Sequence, residues 1–190
     1  MFSISNRSEA GRVLSGLTLG FAADPFIRWL YPESDHFLAN FPRVMNFFGG
    51  GAFEHGAAYR NEEFTAGALW LPPTVYPDEE GLIACFKETV AAEKLDALFT
   101  TFEQMDEIHP KEPCWHLTFI AVDPALQGKG IGSALLSECL RQCDADYRPA
   151  YLESTNPENL SFYRRHGFEQ VGLIKAEHAP PLFPMCRRPN

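Results

Sequence analysis

Much is missing from this 190-residue sequence, and each absence narrows its class. Its five cysteines, Cys85, Cys114, Cys139, Cys143 and Cys186, are odd in number, and no two form a C-x-x-C pair. That argues against a disulfide framework. Cys139 and Cys143 sit four apart on an expected helix, but no His or Cys pair completes a four-ligand set, and His109 and His116 lack partners at useful spacing, so no metal is expected. There is no basic block either. With 16 Lys and Arg against 25 Asp and Glu, the net charge of −9 argues against nucleic acid, whose binding rests on clustered cations, and favours cationic ligands. No apolar run reaches the 18 or so residues of a membrane span, so no membrane partner is expected. Val13 to Ala23 follows Arg7 and Arg12 as a leader core would, yet Glu9 precedes it, and Val13, Leu14, Leu17 and Phe21 share one helical face. An amphipathic helix in a cytoplasmic protein is the expectation.

What is present describes a globular protein, 45% hydrophobic with 16 Phe, expected as one domain over residues 1–190. Strands are expected near Phe2 to Ser5, Ala57 to Arg60, Ala66 to Leu71, Cys114 to Val122, Ala150 to Ser154, Phe168 to Ala176 and Leu182 to Arg187. Helical spacing covers Ser8 to Ala23, His36 to Phe48, Gly132 to Asp144 and Pro157 to His166. It also covers Asp78 to Ile108, long enough that a bend near Lys94 is expected. Strands alternating with helices imply an α/β (α+β) chain.

The segment VDPALQGKGIGSALL, Val122 to Leu136, places glycines at alternate positions between a strand and a helix. Such a loop crowds backbone N–H groups around an anion at a helix N-terminus. A P-loop would need Ser or Thr after its Lys, and Lys129 is followed by Gly130. A dinucleotide loop would need G-x-G-x-x-G with an acidic residue about 20 positions on at the end of the next strand; the glycines here read G-x-G-x-G, and Glu153 lies too far along. A second segment, AYLESTNPENLSFYRRHGF, Ala150 to Phe168, carries an Asn-bearing loop, a Tyr on a short helix and H-G-F opening a strand.

The two segments, in this order, resemble the GNAT superfamily of N-acetyltransferases. The wording of the second is closest to the puromycin N-acetyltransferase-like subgroup. The resemblance implies a GNAT fold: a mixed central sheet of about six or seven strands flanked by helices, with the central parallel strands splayed. It implies acetyl-coenzyme A as cosubstrate, its pyrophosphate held by Gln127, Gly128, Lys129, Gly130, Ile131, Gly132 and Ser133. Main-chain groups of Ile120 and Val122 would meet the pantetheine arm, and Asn159 would add a side-chain hydrogen bond. Asn156 would do the same, or cap the short helix before Pro157.

An amine of pKa about 10.4 is neutral only a few times in ten thousand at pH 7, a handicap of roughly 4 to 5 kcal/mol that a base would relieve. His116 stands where histone-modifying relatives carry a catalytic carboxylate; Glu153, on the following strand, is the alternative base. Strict alternation would put His116, Thr118 and Ile120 on one face. Tyr163 stands where the family's tyrosine is proposed to protonate the departing thiolate. The expected partner is a small-molecule amine, an antibiotic or other xenobiotic among the candidates. A bulky aromatic one would suit a cleft lined by some of Phe26, Trp29, Tyr31, Phe47, Phe48, Trp70 and Tyr76. Dimers are common among such relatives. A protein or peptide acceptor and a non-catalytic acyl-coenzyme A sensor are the alternatives.

Overall fold

The computed structural model describes residues 1–189. Seven strands form one sheet: β1 (Phe2–Ser5), β2 (Ala58–Asn61), β3 (Ala66–Leu71), β4 (Trp115–Val122), β5 (Ala150–Ser154), β6 (Glu169–Gln170) and β7 (Phe183–Arg187). Their order is β1-β2-β3-β4-β5-β7-β6, and every neighbouring pair is antiparallel except β4 with β5. That parallel ladder has only two rungs, Trp115 with Ala150 and His116 with Tyr151. Past His116 the two strands are no longer paired, which is the splay the resemblance implies.

Helices cover both faces. On one lie α1 (Ala10–Gly20) and α3 (Ser34–Gly49); on the other lies α6 (Ile131–Ala145). Every residue of β3 is buried, because a central strand covered on both sides has no solvent face. Val13 and Leu17 of α1 approach Gly67, while α6, with Cys139 buried on it, packs against β3 and β4. Gly20 brings α1 so close to Ala121 that a Cβ would clash with its methyl group. Val13, Leu14 and Leu17 are buried, so the segment that resembles a leader core packs on the sheet. Among the described residues no helix is long and apolar enough to cross a membrane. All five cysteines are free, and burial pushes the Cys143 thiol up to about 12, where it is unreactive.

Several expected elements differ in detail. The long helical stretch is two helices, α4 (Glu79–Thr89) and α5 (Ala92–Ile108), broken at Val90 in extended conformation rather than bent near Lys94. A short helix, α2 (Pro25–Leu30), was not expected; Asp24 caps it and Pro25 opens it. The first helix starts at Ala10 rather than at Ser8, after a 3-10 turn, Arg7–Glu9, capped by Asn6. The last is a 3-10 turn, Pro157–Asn159, followed by α7 (Leu160–Arg165). The strand expected over Phe168 to Ala176 reduces to β6 and an isolated bridge from Ile174 to Leu182.

Alternation along β4 is also interrupted. The register of β3 on β4 shifts between Leu69 and Trp70, and Thr118 spends its hydroxyl on the Leu69 carbonyl, 3.0 Å away. A bulge of this kind resets which residues share a face. The rings of His116 and Phe119 therefore both lie against Phe48, at 5.8 and 5.9 Å, so the expected grouping of His116 with Thr118 and Ile120 does not describe the strand.

Candidate active site

The unpaired stretch of β4 and β5 opens a cleft. A cavity of about 100 Å3 lies in it, lined by Thr118, Ile120, Glu153, Thr155, Asn159 and Tyr163 among others. A larger one, about 650 Å3, lies between α4, α5 and the segment leading into β4. Phe48, Phe86, Phe102, Met105 and Glu153 line both, so the two spaces meet at Glu153.

At that junction His116 Nε2 lies 2.9 Å from Glu153 Oε2, with the side chains 10% and 5% exposed. The parallel ladder explains the contact: His116 and Tyr151 are opposite each other, and Glu153 is two residues further along the same face of β5. An ionised Glu153 accepts the Nε2–H of His116, so a neutral His116 keeps its lone pair on Nδ1. The His109 ring packs edge-on against both His116 and Tyr151, at 5.4 and 4.8 Å. Burial, then the neighbouring His116, lowers the His109 pKa, so the second imidazole is held neutral beside the dyad.

Tyr163 projects from α7 into the smaller cavity and is 8% exposed. Burial raises its pKa, and the negative charge of Asp24 raises it further. Asp24 is itself buried. Its Oδ1 accepts the backbone N–H groups of Phe26 and Ile27 at 3.0 Å, its Oδ2 accepts the Thr155 hydroxyl, and burial raises its pKa despite these bonds. Sequence reading missed this residue. Asp-Pro marks it as a helix cap, but nothing local signals a partner 131 residues away.

The glycine loop fits an anion. Gly128 and Gly130 have φ of +75° and +80°, and a Cβ on either would meet no atom within 4 Å, so their conformation and not packing demands glycine. Gln127, Lys129 and Ser133 are exposed around the N-terminus of the 15-residue α6, and Ile131 and Gly132 open it. The Gln127 amide donates to the Val122 carbonyl at 3.1 Å, tying the loop to the end of β4. Val122 itself is buried and paired with Ala66, away from the cleft that Ile120 lines. Ser133 Oγ lies 2.8 Å from His166 Nε2, whose Nδ1 donates to the Phe162 carbonyl, so this residue links the loop to α7. Asn159 faces the smaller cavity; Asn156 caps the 3-10 turn by accepting Glu158 N–H, the second of its two expected roles. Among the described residues no group of three or more His, Cys, Asp or Glu is placed to hold a metal.

Of the aromatic residues expected near an acceptor, Phe48 and Tyr76 line the larger cavity and Phe26 the smaller. Tyr31 and Trp70 are fully buried in the core. Phe86, Phe99 and Phe102 supply most of the remaining aromatic wall and were not foreseen.

This arrangement defines a GNAT fold, and solved acetyltransferases share it. The chain superposes over its whole length on a Corynebacterium glutamicum protein described as histone acetyltransferase HPA2 and related acetyltransferase, with TM-score 0.68, 24% identity and 96% of that chain covered. A Drosophila melanogaster polyamine N acetyltransferase superposes with TM-score 0.69 at 13% identity, covering 99% of each chain. Residues 87–170 match the family model described as Acetyltransferase (GNAT) domain. An uncharacterized N-acetyltransferase of Schizosaccharomyces pombe is 32% identical over 79 residues, 40% of this chain. That match spans about a third, 32%, of the relative's own length.

Proposed function

We propose that the protein is an acetyl-coenzyme A-dependent N-acetyltransferase acting on a primary amine of a small molecule. One observation carries this reading: the His116–Glu153 pair and Tyr163 flank the gap where β4 and β5 part, with the glycine loop at the far end of β4. The loop from Gln127 to Ser133 fits the pyrophosphate, with Lys129 adding a positive charge. Ile120 and Asn159 are placed along the cleft for the pantetheine arm. When bound, the coenzyme supplies a thioester, an acyl group activated towards amines.

The residues then divide the proton work. The His116–Glu153 dyad takes the proton that the amine must shed as its nitrogen forms the new N–C bond. Tyr163 gives its phenolic proton towards the sulfur as the C–S bond breaks, and solvent exchange restores both groups. Direct attack with both ligands bound suits two cavities that meet at Glu153. The polyamine enzyme among the solved structures supports an amine acceptor, and a pocket rather than an open groove supports a small molecule over a peptide. The wording of Ala150 to Phe168 keeps puromycin among the substrates to be tried.

Thiol release from acetyl-coenzyme A, read over puromycin, aminoglycosides, polyamines, arylalkylamines and short peptides, tests the reading. Turnover of one amine class is the expected result. Silence over the whole panel, with coenzyme A still raising the melting temperature, would instead favour a sensor that binds without transferring.

A further inference from the structure

The cavity of about 650 Å3 beside the dyad has three zones, and their order restricts what enters. At its inner end are His116 and Glu153, both almost wholly shielded. Its wall is aromatic: Phe102 lies 5.6 Å from Phe86 and 6.0 Å from Phe48, and Phe48 in turn touches the His116 ring at 5.8 Å. The rings of Phe86, Phe102 and Phe48 thus form a continuous run that ends at the dyad. At the mouth stand the carboxylates of Glu79, Glu103, Asp106 and Glu112 and one cation, Lys111, all at exposed positions.

Such a lining distinguishes two kinds of amine. A polyamine whose second ammonium stops short of the mouth carboxylates leaves it among the phenylalanines, where a ring face replaces only part of the hydration lost, and Glu153, already bonded to His116, is the only shielded carboxylate in the lining. An amine with one cation and an aromatic body meets no such penalty, because its ring replaces water against the wall while its nitrogen reaches the dyad. The mouth carboxylates sit where they draw a cation inwards before it sheds its proton. Resting on the acetyl-transfer reading above, we infer that this cavity is the acceptor site and that its substrates are arylalkyl monoamines, with Phe48 and Phe102 as the platform for the ring.

The test is kcat/KM for thiol release with 2-phenylethylamine, tryptamine, butylamine and spermidine, each at low and high salt. Both aryl amines are expected to exceed butylamine by about 30-fold, the gain from burying a ring, and all three monoamines to lose rate together at high salt, because each carries the one cation that the mouth attracts. Phe102→Leu, which keeps the wall apolar and guards against misfolding, should narrow the aryl preference several-fold; Glu103→Gln with Asp106→Asn should flatten the salt dependence. Melting temperatures read alongside separate loss of fold from loss of preference. Butylamine or spermidine used as well as the aryl amines would overturn the inference and leave acetyl transfer standing. Release with none of the four, while the wider panel is turned over, would also overturn it alone; silence over both panels would remove the acetyl-transfer reading with it.

Discussion

His116 and Glu153, 37 residues apart in sequence, meet at 2.9 Å just beyond the last rung that joins β4 to β5. The contact turns two rival bases into one unit. Residues acting as a unit are not additive when removed singly. Glu153→Gln and His116→Gln should each lower kcat by about 10²- to 10⁴-fold, and the double variant should fall little further than the worse single one. A steady-state double-mutant cycle with one acceptor checks this. Full additivity would show two independent roles.

Gly128 and Gly130 have positive φ and empty space where a Cβ would project. Alanine there strains the backbone by roughly 1–2 kcal/mol, and the loop can relieve that strain by turning N–H groups away from the pyrophosphate. Gly130→Ala should therefore weaken coenzyme A binding by about 10- to 100-fold while the melting temperature without ligand moves little, since the loop is exposed. Calorimetric titration and thermal melts on one preparation separate the two effects. Equal loss in both would make the glycine a structural residue only.

These two sites show what a sequence exposes and what it hides. The bounds of β3 and β5 coincide with the expected ones, because each is a short run that abuts a breaker residue, Pro72 after β3 and Pro149 before β5. The glycine loop was legible for the same reason: the residue type itself encodes the backbone conformation. The break at Val90 was not, since Leu82, Phe86 and Val90 continue the helical period up to the point where the chain turns extended without Gly or Pro. Nor was the bulge at Thr118, made by a hydroxyl bonded to a neighbouring strand. Candidate groups were readable one at a time; their pairing depended on a parallel ladder of only two rungs. The aromatic wall escaped notice because Phe86 and Phe102 carry the same spacing as ordinary core residues, and only the tertiary arrangement leaves a cavity between them.

His109 supplies a pH test that needs no substrate. Its pKa is lowered in the folded chain, whereas the unfolded chain protonates it near the reference value of about 6.5. Below that pH the unfolded state binds more protons, so this residue makes stability fall as pH drops below about 6.5. His109→Phe, which keeps a ring against Tyr151 and His116, should lose less stability than the parent between pH 7 and pH 5. Urea titrations across that range measure the difference, and parallel curves for the two proteins would contradict the assignment.

Tyr163 and Asp24 give the most discriminating test of the proposed acid. Tyr163→Phe should reduce kcat by about 10²-fold or more with coenzyme A affinity unchanged, because only the donated proton is lost. A merely packed tyrosine would show no such separation. The charge of Asp24 offers an independent handle, since it raises the Tyr163 pKa and makes the phenol a weaker acid than burial alone would. Asp24→Asn removes that charge and retains an oxygen to accept the Phe26 and Ile27 N–H groups, so the cap on α2 survives. With the charge gone, Tyr163 must lose its proton at lower pH, and the alkaline limb of the kcat profile should move down with it. A profile whose alkaline limb stays in place would mean that some group other than Tyr163 protonates the sulfur.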